Sequence, residues 1–135
     1  MNGLFVDTSG WYACASETDR AHATARSARD AWLDGGGLLV TTDYVLAETL
    51  TLLRRRLGLA ATETWWEHVQ ATPRLRWEWV GMERVEKARA MFFHHRDKDY
   101  SFTDCTSFVV MKELKLKQAL TTDKHFAQAG FQVVP

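Results

Sequence analysis

The chain has 135 residues, 46% of them hydrophobic and 25% charged, which is apolar enough for a packed core and too apolar for a disordered chain. Its 17 basic and 17 acidic residues cancel, so no overall field draws it to nucleic acid or membrane. The longest apolar run, Trp11 to Ala15, is far below the roughly 18–20 residues of a bilayer span.

A first strand is expected at Leu4–Val6, followed by helices over 9–16 and 19–34. The second of these stops at Gly35-Gly36-Gly37, where glycine can adopt the left-handed conformation that ends helices. Leu38–Val40 is a second strand. A helix over 43–57 follows, with Val45, Leu46, Leu50, Leu53 and Leu57 at helical spacing, then another over 62–71. Leu75–Val80 reads as a half-buried third strand, because Leu75, Trp77 and Trp79 alternate with Arg76 and Glu78. Helices over 82–96 and 102–115, a strand at Ala119–Thr121, a short helix over 124–128 and a strand at Phe131–Val134 complete the chain. With two prolines, no repeat and no linker, one domain over 1–135 is expected. Asp7 interrupts any apolar leader, and the two cysteines, Cys14 and Cys105, suit a reducing, cytoplasmic setting.

Strands separated by helices require crossover connections. The expected fold is therefore α/β: a three-layer α/β/α sandwich with a central, mostly parallel five-stranded sheet. In such sheets ligands gather beyond the carboxyl ends of the strands, where strand order reverses.

Two acids fall at those ends: Asp7 after the first strand and Asp123 after the fourth. Either could simply cap the helix that follows. Asp104 lies three residues after Ser101, in the first turn of a helix, where the helix dipole favours a carboxylate. Glu48 stands in an apolar helical stretch. Glutamate is a good helix former, so a partly exposed position is the ordinary reading. The i, i+4, i+8 stripe of Tyr44, Glu48 and Leu52 supports the alternative of a covered face, on which a charge needs a partner or a cation. Carboxylates about 5 Å apart at an effective dielectric of ~20 repel by roughly 3 kcal/mol per pair. Such a cluster persists by protonation or by holding a hard cation, and all-oxygen ligands suit Mg²⁺ or Mn²⁺. An incompletely coordinated cation can activate water and neutralise an attacked phosphodiester.

Other chemistries lack their residues. No Gly-x-Ser-x-Gly elbow occurs, and Gly35-Gly36-Gly37 precedes a strand instead of following one. A phosphatase with an aspartyl nucleophile at Asp7 would want a second Asp where Ser9 stands. His94 and His95 have no zinc-ligand spacing and read as partners of a helix C-terminus. His125 is a candidate contact for substrate phosphate. Asp97 and Asp99 fit a solvated loop. Arg54-Arg55-Arg56, Arg74 with Arg76, and Lys112 with Lys115 and Lys117 read as solvated surface, with phosphate contact as the alternative. Trp65 and Trp66 are adjacent and cannot share one narrow stripe, so one is expected to face a protein partner.

Four blocks occur in order between residues 5 and 126: Phe5-Val6-Asp7-Thr8-Ser9, Ala47-Glu48, Ser101-Phe102-Thr103-Asp104-Cys105, and Leu120-Thr121-Thr122-Asp123-Lys124-His125-Phe126. In these the chain resembles PIN-domain proteins, and most of all the VapC-type ribonuclease toxins of prokaryotic toxin–antitoxin pairs. The resemblance implies that Asp7, Glu48, Asp104 and Asp123 form an acidic, catalytic, metal-binding set for Mg²⁺ (or Mn²⁺). It makes Asp7 and Asp104 the most direct ligands, has Glu48 and Asp123 bind metal through water or complete a second site, and has Thr8 or Thr122 orient carboxylates or water through their hydroxyls. The implied reaction is hydrolysis of an RNA phosphodiester by a metal-activated water. The implied partners are an RNA substrate, a cognate antitoxin and a second copy in a homodimer. An RNA- or protein-binding module without turnover is the alternative.

Overall fold

The computed structural model describes residues 1–135. Five strands, β1 (Gly3–Val6), β2 (Leu38–Thr42), β3 (Leu75–Glu78), β4 (Gln118–Leu120) and β5 (Gln132–Val134), form one sheet in the order β3-β2-β1-β4-β5. All four pairings are parallel, and Phe5 of β1 sits opposite Val40 on one side and Ala119 on the other. Seven helices make the connections: α1 (Thr8–Ala15), α2 (His22–Asp34), α3 (Asp43–Leu57), α4 (Leu59–Ala71), α5 (Gly81–His94), α6 (Phe102–Glu113) and α7 (Lys124–Gln128).

Right-handed crossovers place α1–α4 over one face of this sheet and α5–α7 over the other. Central strands covered on both faces read as continuous apolar runs rather than alternating ones, which is why Leu4-Phe5-Val6 is legible as a strand. On one side Trp11 of α1 meets Trp65 of α4 edge to face at 5.7 Å. On the other, Phe5 packs on Phe126 of α7, which meets Phe108 of α6 at 5.0 Å. Both cysteines are buried and free, and burial pushes each thiol up to about 11, so neither is poised as a nucleophile.

The packing of α1 on β4 needs Gly10. A Cβ there would lie 2.2 Å from the Leu120 carbonyl oxygen, a backbone atom that cannot step aside. Gly10→Ala should therefore destabilise the chain by about 3 kcal/mol, the cost of overpacking a filled core. Thermal unfolding should show a melting temperature lower by ~10 °C. An unchanged value would mean that α1 is not seated this closely on β4.

Element types agree with the sequence throughout; the boundaries differ where a particular contact intervenes. The third strand was expected to reach Val80 but ends at Glu78, and Trp79 stands 70% exposed. The Val80 N–H donates to Asp43 Oδ1 at 2.9 Å, which turns the chain off the sheet into α5. Within Gly35-Gly36-Gly37 only Gly36 takes the left-handed conformation, at φ +86°. Gly58, at φ +92°, lets α4 begin directly after α3, three residues before the expected start. Asp19 accepts from the Ala21 N–H and holds a turn where the second helix was expected to begin. Neither Trp65 nor Trp66 faces outward as anticipated: Trp65 is buried against Trp11, and half-buried Trp66 packs near Trp77 at 6.4 Å.

Candidate active site

Strand order reverses at β1, whose two neighbours, β2 and β4, lead in opposite directions across the sheet. The crevice beyond the carboxyl ends of β1 and β4 is therefore the place for a ligand. The loops leaving these two strands are stitched together there by hydroxyl groups. The Asp7 N–H donates to the Leu120 carbonyl at 3.2 Å. The Ser9 and Thr121 hydroxyls both donate to Asp7 Oδ2, at 3.1 and 3.0 Å, and lie 2.9 Å from each other. The Thr122 N–H reaches Ser9 Oγ at 3.0 Å, and the Asp123 N–H reaches Thr121 Oγ1 at 2.9 Å.

For the Asp7 carboxylate the hydroxyl partners differ from those expected. Thr8 and Thr122 line the cleft, but the hydroxyls on the Asp7 carboxylate belong to Ser9 and Thr121, one position away from each. The Thr8 hydroxyl instead donates to the Val45 carbonyl, and its backbone N–H supports Asp7. Asp7 precedes α1 without a side-chain cap bond, so capping does not account for it. Asp123 does cap α7, accepting from the His125 N–H at 2.9 Å.

Asp104 is fixed from two sides. It forms a capping box with Ser101 at the start of α6: Asp104 Oδ2 accepts from the Ser101 N–H at 3.0 Å, while Ser101 Oγ accepts from the Asp104 N–H at 2.9 Å. The same Oδ2 lies 2.8 Å from His125 Nδ1, which is also 3.2 Å from Asp123 Oδ1. Carboxylates only accept, so the ring proton belongs on Nδ1. Sequence reasoning offered His125 as a candidate phosphate contact and missed its place between two acids. Its position two residues after Asp123, in the first turn of a helix, was the available signal. Of the two readings open for Glu48 the exposed one holds: its face of α3 is open, and Glu48 stands on the wall of the cleft.

All four acids line a single cleft of about 440 Å³, together with His125. Asp7 is only 5% exposed. Burial, and then the charge of Asp104, lift its carboxyl to about 6, against the opposing Thr8 N–H and the Thr121 and Ser9 hydroxyls. Burial also raises Asp104, with the Ser101 N–H and His125 acting against it and the charge of Asp123 adding to it. Partial desolvation of the carboxyl against the wall of the cleft, with the charge of Asp104, raises the otherwise exposed Glu48, against the Thr103 hydroxyl. None of the four carboxylates forms an ion pair with a lysine or arginine; only His125 approaches Asp104 and Asp123.

These residues fit a divalent cation. Asp104, Asp123 and His125 each offer a ligand atom, and the three lie within 4.8 Å of one another. Asp7 brings a buried carboxylate with no compensating charge. Hard oxygen donors dominate the set, and the imidazole nitrogen is compatible with Mn²⁺ as well as oxygen-preferring Mg²⁺.

The PIN domain family profile matches residues 4–132. The 23S rRNA-specific endonuclease VapC20 of Mycobacterium tuberculosis, from strain H37Rv and from strain CDC 1551, is 35% identical over 128 residues, covering 95% of both proteins. The crystal structure of Mycobacterium tuberculosis VapC20, described as a sarcin–ricin-loop-cleaving toxin, superposes with a TM-score of 0.86 at 35% identity. It covers 98% of this chain and 99% of its own. The strand order, the cleft at its reversal and these similarities agree: the chain belongs to the PIN-domain family, on its VapC-like side.

Proposed function

We propose that this protein is a Mg²⁺- or Mn²⁺-dependent endoribonuclease, the toxin of a toxin–antitoxin pair, that cuts structured RNA of the kind named for VapC20. One observation carries the reading: four carboxylates from separate stretches of the chain share one cleft with no lysine or arginine partner. Asp7 and Asp104 would hold the cation most directly, with Asp123 and Glu48 completing its surroundings. A divalent ion there supplies water activation and charge neutralisation at the attacked phosphodiester. Ser9 and Thr121 keep the Asp7 carboxylate in one orientation, and Ser101 and His125 do the same for Asp104. The Ser9 hydroxyl is engaged with Asp7, which leaves no acid/base at the position a phosphatase would need.

The same reading brings a cognate antitoxin, a homodimer and a cytoplasmic setting. No helix is long and apolar enough to cross a membrane. Exposed Trp79, Met82 and Phe93 offer apolar surface for protein contacts. The test is incubation of the protein with an RNA hairpin carrying the sarcin–ricin loop of 23S rRNA and Mg²⁺, with and without a chelator. The expected result is cleavage at a defined position that the chelator abolishes. Binding without chelator-sensitive cleavage would favour a module without turnover.

A further inference from the structure

α3 ends in Arg54-Arg55-Arg56-Leu57, and the negative end of the helix dipole accounts for cations in that turn. It does not account for where Arg56 goes. The guanidinium lies over the Tyr12 ring, 5.2 Å from its centroid, and both residues line the acidic cleft. Arg29, Arg76, Arg84 and Arg89 are all paired with carboxylates, and Arg74 donates to the carbonyls of Leu33 and Gly37. Arg56 has no such partner, although Asp19 and the four candidate metal ligands share its cleft.

A guanidinium held over an aromatic ring by cation–π attraction makes no hydrogen bond there, and Arg56 makes none elsewhere, so its N–H groups stay free. Their fork matches the two non-bridging oxygens of a phosphodiester. A shallower groove of about 430 Å³ continues from the cleft past Thr8, Glu48 and Leu52 to Arg55. The cluster of acids is thus flanked by two arginines from the end of one helix, Arg56 inside the cleft and Arg55 along its extension. A polyanion approaching four carboxylates needs cationic contacts beside them, because a cation held by the acids would offset charge only locally.

We infer that Arg56, held by Tyr12, is a phosphate-binding subsite that grips an RNA phosphodiester neighbouring the one presented to the acids. The inference rests on the nuclease reading above and specifies how that cleft holds its substrate. It separates two roles: the acids act on the reacting phosphate, and Arg56 acts on substrate affinity and register.

The experiment measures cleavage of the sarcin–ricin hairpin by the full chain with Mg²⁺ over a range of salt concentrations. Arg56→Gln should raise KM about tenfold with kcat within about twofold, and should lower the slope of log(kcat/KM) against log salt by about one. Tyr12→Ala should reproduce part of the KM effect and Tyr12→Phe should not, because phenylalanine keeps the ring face. Arg89→Gln, which alters a paired surface arginine, should match wild type. An unchanged KM and salt slope in Arg56→Gln would overturn the assignment, as would a loss confined to kcat. A defect seen only in binding a protein partner would overturn it too. If wild-type protein cuts no RNA, the nuclease reading itself fails, and hairpin binding in chelator by fluorescence anisotropy decides Arg56 separately. Equal affinity and equal salt slope for wild type and Arg56→Gln would then overturn the subsite.

Discussion

Asp7→Asn is expected to abolish RNA cleavage and, in the same protein, to raise the stability of the metal-free fold at neutral pH. The first effect follows from losing a carboxylate at the centre of the cleft. The second follows from burial. The Asp7 carboxyl is raised from 3.8 to about 6, so between those values the folded state binds more protons at this position than the unfolded state does. Stability therefore falls as pH rises through that window and stays lower above it. A shift of about two units corresponds to about 3 kcal/mol. Asparagine carries no charge to bury, and its amide oxygen can still accept from Ser9 and Thr121. In chelator at pH 7.5 the variant should melt ~10 °C above wild type, and the gap should close near pH 4. A variant that melts below wild type at pH 7.5, or that still cleaves RNA, would contradict this account of Asp7.

Adding Mg²⁺ or Mn²⁺ should reverse that penalty in the wild-type protein. A ligand that binds only the folded state stabilises it by about 2.7 kcal/mol at one hundred times its dissociation constant, which corresponds to a rise of ~10 °C in melting temperature. Asp104→Asn should lose the rise, because Asp104 is buried and shared between Ser101 and His125. Glu48→Gln should lose less of it, since Glu48 stands exposed on the wall of the cleft. The metal-induced shift should also shrink between pH 7 and pH 5, as protons compete for Asp7. Thermal scans across metal concentration and pH measure all of these. An identical shift in wild type and Asp104→Asn would place the ion elsewhere.

The layered sheet was readable because its central strands are buried on both faces and its helices carry regular apolar spacing. Asp7, Asp104 and Asp123 could be placed by counting from a strand end or a helix cap, Glu48 only by the helix it lies in, and all four share one cleft in the fold. The rest depended on contacts that leave no local pattern. Trp79 continues the alternation of β3, yet the Asp43–Val80 hydrogen bond ends the strand before it. Tyr44, Glu48 and Leu52 have the spacing of a covered stripe, but nothing in a linear sequence says which helix face the fold leaves open. The hydroxyls on Asp7 come from Ser9 and Thr121, and a displacement of one residue in a strand or helix is enough to exchange a side chain that points at a carboxylate for one that does not. The three arginines at the end of α3 are equivalent in sequence, and only Tyr12, arriving from α1, singles out Arg56.

Acids brought together from distant parts of the chain are proposed to share one divalent ion. The direct measurement is an anomalous difference map from crystals grown with Mn²⁺. The account predicts a peak in contact with carboxylate oxygens of both Asp7 and Asp104, with Asp123 beside it. A well-ordered cleft without such a peak, in crystals that bind Mn²⁺ at other positions, would contradict it.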